Sequence, residues 1–233
     1  HGTWTNEPTG YKYQWLQCDS LGGSCLPIAG ATAQTYVPVS GDVGHTLIVQ
    51  ETASNAGGAG SPAASAATGV VQAPATATFG KTAIGASSDT FLADRKRVNR
   101  YALAAAGTVT KLSIYLAPTA TVGQQLLKGI LYADSSNAPG SLLGVSEQLI
   151  FKNTNAAGWY DLTFATPVKL AAGNYWIGVI TGAASNVAGF RFDNVTAARD
   201  YNPNTFTAGP ANPFGTPTVD TEQTSLYATY TPG

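Results

Sequence analysis

This sequence has few charged residues, which limits the kinds of partner that it can attract electrostatically. Only 11% of the 233 residues are charged, and 12 basic residues against 13 acidic ones give a formal net charge of -1. Such a chain has no electrostatic field that would gather a polyanion, so we expect no nucleic-acid partner. No apolar run approaches the ~20 residues that cross a bilayer, so we also expect no membrane insertion.

Methionine is absent, and no segment shows the apolar period of a helix. The chain instead contains 26 glycines and 13 prolines, which suit short strands joined by tight turns. We therefore predict an all-β protein. Because the first residue is His1 rather than methionine, we expect the natural N-terminus to lie upstream.

Side chains suited to catalysis or metal binding are few. The two histidines, His1 and His45, lie far apart in the sequence, and the two cysteines lack the close spacing of zinc ligands. The acidic residues of the C-terminal two thirds show no spaced pair on one strand of the kind that would indicate a glycosidase. We predict no catalytic residues, no metal and no cofactor, and hence a protein that is not an enzyme.

The opening segment YKYQWLQCDSLGGSC contains both cysteines of the chain. Tyr11, Tyr13 and Trp15 alternate with Lys12, Gln14 and Leu16, which is the period of a half-buried strand with Trp15 directed into a core. The two glycines that follow favour a hairpin turn, which would bring the two sulfur atoms within bonding distance.

We therefore predict a disulfide between Cys18 and Cys25. Closing so short a loop stabilises by only ~2 to 3 kcal/mol, so the bond would fix a hairpin without holding a domain together. A disulfide also indicates an oxidising environment, and we expect a secreted or cell-surface protein.

The first third of the chain resembles a bacterial immunoglobulin-like domain. The resemblance covers residues 1 to about 72 and rests on GTW, YKYQWLQCD, SC, IAGAT and TYVPVSGDVGHTLIVQETASNAGG, read in that order. It implies a β-sandwich with Trp15 in its core. The family's first strands are absent here, either because the sequence is truncated or because a neighbouring copy donates them head to tail.

A second domain is predicted at residues 79–233, after a Pro- and Ala-rich linker at residues 73–78. About nine strands follow without helical periodicity, which indicates a double-sheet jelly roll. The motifs GQQLLKGILYADSSNAPGSLLG, AGWYDLTFATPVKLAAGNYWIGVITG and SLYATYTP resemble a jelly-roll module of secreted bacterial surface proteins and polysaccharide-active enzymes. The predicted architecture is an immunoglobulin-like sandwich followed by a jelly-roll sandwich.

Two places in the second domain are candidates for ligand binding. The run DRKRVNR is most simply a solvated edge strand, but Arg97 or Arg100 could reach a concave face and hold a sugar hydroxyl or an acid. A long predicted loop, residues 196–223, carries Tyr201, Phe206 and Phe214 among Asn-Pro turns. Loops of that length are functional or mobile; this loop is either packed on itself or an ordered contact region, and it is the preferred contact region for a ligand.

Two functions from different classes remain. The first is a structural or adhesive module of an extracellular fibrous assembly or filament, whose partners are neighbouring copies of itself. The second is a carbohydrate-binding accessory module that recognises a cell-surface, plant or microbial polysaccharide. The missing first strands favour the first function, and the loop aromatics favour the second.

Overall fold

Strands dominate the structure, which confirms the all-β prediction. A computed structural model describes all 233 residues, and it contains sixteen β-strands and two 3-10 helices of three residues each. No helix is long and apolar enough to cross a membrane. The chain divides into two compact units, His1–Pro74 and Ala75–Gly233.

The first unit contains one antiparallel sheet. Its elements are β1 (Gly10–Cys18), β2 (Leu26–Pro27), a 3-10 helix (Ser40–Asp42), β3 (Thr46–Asn55), β4 (Gly58–Ala59) and β5 (Ala63–Ala64). The strand order is β2-β1-β3-β4, and β5 also pairs with β3. The two facing sheets expected of an immunoglobulin-like sandwich are not found in this unit. Residues 63–71 hydrogen-bond along β3 and so extend the one sheet instead of forming another.

One face of this sheet carries the aromatic residues, as the alternation predicts, but it is only partly buried. The ring of His1 stacks on Tyr11 at 3.9 Å between centroids. The Glu51 carboxylate, which shares this face, accepts a 2.6 Å hydrogen bond from Trp4 Nε1. Trp15 is half-buried and donates through Nε1 to the carbonyl of Ala33. The N-terminal segment therefore lies over this face, and Trp15 does not occupy the centre of a closed core.

The second unit contains eleven strands. They are β6 (Ala77–Gly80), β7 (Ser87–Thr90), β8 (Arg95–Leu103), β9 (Gly107–Pro118), β10 (Gln124–Ser135), β11 (Ala138–Lys152), β12 (Gly158–Leu170), β13 (Gly173–Thr181), β14 (Ala188–Pro203), β15 (Thr218–Thr224) and β16 (Leu226–Pro232). A second 3-10 helix (Phe206–Ala208) lies between β14 and β15.

Strand β14 joins two groups of strands into one continuous hydrogen-bonded sheet. Its C-terminal half pairs with β8, and its N-terminal half pairs with β9. Strands β11, β10, β13 and β8 lie on one side, and β9, β12, β16 and β6 lie on the other. Apolar side chains from both groups meet in one core, so the sheet folds over on itself in two layers. The inner face of each layer is the one that contributes to this core, and the outer face is the opposite one.

The position of β8 differs from the expected edge strand. It pairs with β13 on one side and β14 on the other, so it is a central strand. Alternation holds along it: Arg97 and Asn99 lie on the inner face, and Lys96, Val98 and Arg100 lie on the outer face. Lys96 and Arg97 are therefore buried inside the fold, and the charges of this run do not protect an edge.

Candidate functional site

Arg97 is buried in the core instead of reaching a ligand face. Its guanidinium carbon lies 4.8 Å from the centroid of Phe91 and 5.8 Å from that of Phe190. Burial, followed by the nearby charges of Arg199 and Arg95, lowers the pKa of Arg97. Because the side chain is enclosed by two aromatic rings, Arg97 is unable to contact an external ligand.

The three predicted contact rings do not form one surface. Strand β14 continues to Pro203, so the loop begins later than residue 196. Phe206 and Phe214 are 8% and 1% exposed, and both pack on the outer face of β8, β10 and β13. Tyr201 lies on the inner side, with the guanidinium carbons of Arg95 and Arg199 at 5.3 and 5.0 Å from its centroid. Both phenylalanines are therefore packed against the fold and are not open for stacking.

Residues 204–217, which we call the strap, cover part of this outer face. The backbone amide of Phe206 donates to Asp94 Oδ1 at 2.8 Å, and that of Phe214 donates to the carbonyl of Gly140 at 3.0 Å. Tyr132 donates through its hydroxyl to the carbonyl of Ala211 at 2.7 Å. Lys96 lies buried beneath the strap. The strap is thus fixed at both ends and at its middle.

Beyond the strap, the same outer face opens into a cleft of about 430 Å³. Strands β8 and β13 form its floor, and the turn between β10 and β11 forms one wall. The opposite wall is the irregular stretch of β14 between Asn194 and Arg199, where the pairing with β15 shifts register. The lining residues are Arg100, Tyr101, Ala102, Asn137, Asn174, Trp176, Val195, Ala197, Ala198 and Gln223.

A hydrogen-bonded network fixes the floor of the cleft. Arg100 donates from Nε to Asp134 Oδ1 at 2.7 Å and from Nη2 to Asp134 Oδ2 at 3.1 Å. Trp176 donates from Nε1 to Asp134 Oδ1 at 2.8 Å. The hydrogen bond from Arg100 is the main cause that lowers the pKa of Asp134, against a smaller opposing effect of burial. Asp134 is therefore an ionised acceptor that holds Arg100 and the indole in place.

Above this floor, several polar groups have no partner within the chain. The side-chain amides of Asn137, Asn174 and Gln223 make no internal hydrogen bond, and neither does Nη1 of Arg100. Each amide can both donate and accept, and each guanidinium nitrogen can donate. The cleft therefore presents donors and acceptors of the kind that pair with hydroxyl groups.

A tight hairpin turn positions Asn137 at the rim. The pairing of Ser135 with Ala138 leaves Ser136 and Asn137 as a two-residue loop, with φ values of 54° and 66°. Two positive φ values indicate a type I′ turn, which Asn favours. Pro139 and Gly140, which follow the turn, belong to β11. The structure thus brings Asn137 close to Arg100, which the sequence alone did not indicate.

Of the five predicted ligand residues, only Arg100 lines the cleft. Sequence reasoning missed the three amides and left Trp176 unassigned. In the sequence, Trp176 alternates with Tyr175 and Ile177, so it lies on the opposite face of the strand from them. Which of the two faces is the outer one is shown only by the pairing of Trp176 with Arg100. Nowhere in the chain do three or more His, Cys, Asp or Glu side chains come together as a metal site.

Comparison with known proteins gives no family for this chain. No protein-family model matches it, and no curated protein is detectably similar to it.

Proposed function

We propose that this chain is a non-catalytic, extracellular saccharide-binding module, and that the cleft on the outer face of β8 and β13 is its binding site. The observation that carries the proposal is the set of unpaired amides of Asn137, Asn174 and Gln223 around an Arg100 that Asp134 holds in place. Sugars present many hydroxyls, and these amides together with the fixed Arg100 supply donors and acceptors for them.

The charges of the cleft favour a neutral saccharide. Arg100 and Asp134 form an ion pair with Nε and Oδ1 at 2.7 Å, so their charges cancel. A free arginine would instead favour a carboxylate or a phosphate. The cancelled charge leaves the amides and the remaining Arg100 N–H as hydrogen-bonding groups for uncharged hydroxyls.

The state of Asp134 supports binding without hydrolysis. Glycoside hydrolysis commonly needs two carboxyl groups, one of which is protonated with a raised pKa. The pKa of Asp134 is lowered, and both its oxygens accept hydrogen bonds from Arg100. Secretion is supported by the disulfide between Cys18 and Cys25, which favours an oxidising compartment.

A glycan array of neutral oligosaccharides, followed by calorimetric titration of the strongest binder, tests the proposal. We expect Asn174→Ala and Gln223→Ala each to weaken binding about three- to tenfold, which corresponds to one lost hydrogen bond. Gln148→Ala is a matched control, because Gln148 is an exposed amide of β11 outside the cleft. If no neutral glycan binds, or if both cleft variants bind like the wild type, the cleft is not a saccharide site.

A second candidate function, a structural or adhesive module that assembles with copies of itself, is favoured by the first unit. Strand β2 pairs only with Leu16 and Gln17, so residues 10–14 of β1 have no neighbouring strand on that side. Such an edge can accept a strand from another chain. Residues 46–53 of β3 offer no such edge, because β1 pairs on one side, and β5 and the backbone amides of Ser65 and Thr68 bond on the other. Sedimentation of the full chain tests this function.

A further inference from the structure

Three half-exposed aromatic residues lie side by side on the other layer of the second unit. Tyr115 of β9 pairs directly with Trp159 of β12, and Tyr227 of β16 pairs with Ser113 of β9. Their neighbours Ile114, Leu162 and Leu226 point into the core. Because side chains alternate along strands, the three aromatic residues belong to the outer face. We call Tyr115, Trp159 and Tyr227 the aromatic platform.

The indole of Trp159 is at the centre of the platform. Its centroid lies 5.7 Å from that of Tyr115 and 5.0 Å from that of Tyr227, with interplanar angles of 83° and 62°. The three rings thus support one another edge to face, which fixes their orientations. All three remain partly open to solvent.

The polar atoms of these rings are unused. The hydroxyls of Tyr115 and Tyr227 and Nε1 of Trp159 make no hydrogen bond within the chain. Tyr132 and Trp176, which are buried, do make such bonds. Tyr and Trp residues that only pack normally satisfy these groups when they are buried. The platform therefore has both ring surface and hydrogen-bonding groups available at one place.

A neutral polar cluster adjoins the rings. Asp161, two residues after Trp159, accepts from Lys111 Nζ at 2.6 Å and from Ser113 Oγ at 2.6 Å. The charges of Lys111 and Asp161 cancel, so the surface is suited neither to a polyanion nor to an anionic membrane. The polar cluster also lacks the continuous apolar area that a tight protein interface needs at its centre.

We propose that the aromatic platform is a second saccharide site, which stacks the apolar face of a pyranose ring and hydrogen-bonds its hydroxyls. A pyranose presents C–H groups on its flat side and hydroxyls at its rim. The platform matches this pattern with rings on one side and Asp161, Lys111 and the tyrosine hydroxyls beside them. The ligand class rests on the proposed function, but the residues are separate from the cleft, because the core lies between the two outer faces.

Two sites on opposite faces allow one molecule to bind two saccharide chains. Once one site has bound a polysaccharide that has many equivalent units, the other site is held close to further units. Binding at that other site then raises the overall affinity without any additional contact residue. We therefore expect the loss of either site to weaken binding to the polymer more strongly than it weakens binding to a short oligosaccharide.

Affinity electrophoresis of the full chain in gels cast with hydroxyethyl cellulose, galactomannan or laminarin tests the platform. We expect Trp159→Ala to reduce retention at least fivefold and Trp159→Phe to restore part of it, because the smaller ring still stacks. Asn174→Ala, in the cleft, is the comparison variant. We expect the double variant Trp159→Ala/Asn174→Ala to lose retention completely.

The outcomes separate the two sites. If Trp159→Ala is retained like the wild type while Asn174→Ala is not, the platform proposal is overturned and the cleft stands. The reverse result supports the platform and rejects the cleft, and an absence of retention on all three polymers rejects both. Should Trp159→Ala fail to fold, oxidation of wild-type Trp159 by N-bromosuccinimide, followed by mass spectrometry, replaces it. If the platform binds the polymer, the polymer slows the oxidation of Trp159. An unchanged oxidation rate overturns the proposal.

Discussion

At the scale of single residues, the second unit buries several polar and charged groups that most sequences would keep at the surface. Lys96 donates to Asn204 Oδ1 at 2.9 Å, and its Nζ lies 4.6 Å from the centroid of Phe214. Asn99 donates to the carbonyls of Ala198 and Glu222. Buried polar groups are tolerable where hydrogen bonds or aromatic faces replace water. These residues therefore couple strand β8 to the strap and to β14.

Asp200 lacks such compensation and should limit stability at neutral pH. It is 4% exposed, and no hydrogen bond to its carboxylate is formed within the chain. Burial, with a further contribution from Asp220, raises the pKa of Asp200 from 3.8 to about 6. The folded state then binds more protons than the unfolded state between these two values. The stability that the protonated carboxyl provides is lost as the pH rises from about 4 to 6.

We expect Asp200→Asn to be more stable than the wild type at pH 7, by roughly 1 to 3 kcal/mol. The difference should shrink towards zero below pH 4, where the wild-type carboxyl is protonated in both states. Urea denaturation of both proteins at several pH values measures it. Asp193→Asn is the control of opposite sign, because a hydrogen bond from Lys81 lowers the pKa of Asp193. A gain for Asp200→Asn that does not change with pH would contradict the explanation.

At the scale of elements, the strap converts a predicted ligand loop into part of the fold. Phe214 fits among Val98, Ile130, Tyr132, Trp176 and Ile180 and is almost fully buried. Its truncation leaves a cavity over the outer face and exposes Lys96. We expect Phe214→Ala to lower the free energy of unfolding by about 3 to 5 kcal/mol, as measured by urea denaturation.

The control for the strap is Val219→Ala, because Val219 is half exposed on β15. It should change stability by less than about 0.5 kcal/mol. Hydrogen exchange should also accelerate at residues 94–98 and 204–217 in Phe214→Ala. If Phe214→Ala is as stable as the wild type and instead loses saccharide affinity, the ring is a ligand contact after all.

The sequence indicated which face of a strand a side chain occupies, but it indicated much less about which strands pair with each other. Alternation along GWYDLTF predicts Tyr160, Leu162 and Phe164 on one face and Trp159 on the other, and the core contains Leu162 and Phe164. It could not reveal that β8 is a central strand, because the charges of Lys96 and Arg97 are typical of an edge unless the covering groups are known. Those groups, the strap and Phe190, come from residues about a hundred positions away.

The same limit applies to the candidate sites. Arg100 was identified from its local charge run, but its partners Asp134 and Trp176 lie on two other strands. The aromatic platform likewise depends on the register of three strands. Pairing of distant segments is decided by the whole set of contacts, and no local pattern encodes it.

At the scale of the whole molecule, the two units differ in how well each can support itself. The second unit has a large main core and a second cluster beneath the strap. The first unit has one sheet, and its buried apolar side chains are Leu16, Cys18, Leu47 and Ala53. The disulfide between Cys18 and Cys25 adds about 2 to 3 kcal/mol by the loop-closure relation. So small a core makes the first unit the weaker of the two.

Several large apolar side chains of the first unit are open to solvent. The exposed fractions are 96% for Leu21, 72% for Leu26, 80% for Val37 and 58% for Val39. Exposed apolar groups and an unpaired strand edge each favour association with another chain. A contact between two different surfaces of identical copies propagates into a filament unless a rotation closes it.

We therefore expect the full chain to form larger species as its concentration rises, and Leu21→Asp/Val37→Asp to stay monomeric, because a charge opposes burial of either side chain. Sedimentation velocity over a range of concentrations measures both proteins. Val122→Asp is the matched control, because Val122 is 85% exposed in the second unit. It should associate like the wild type. The first unit is not the assembly surface if the wild-type chain remains monomeric at all concentrations. The same conclusion follows if the control loses association as fully as the double variant. Saccharide binding would then be the function to pursue.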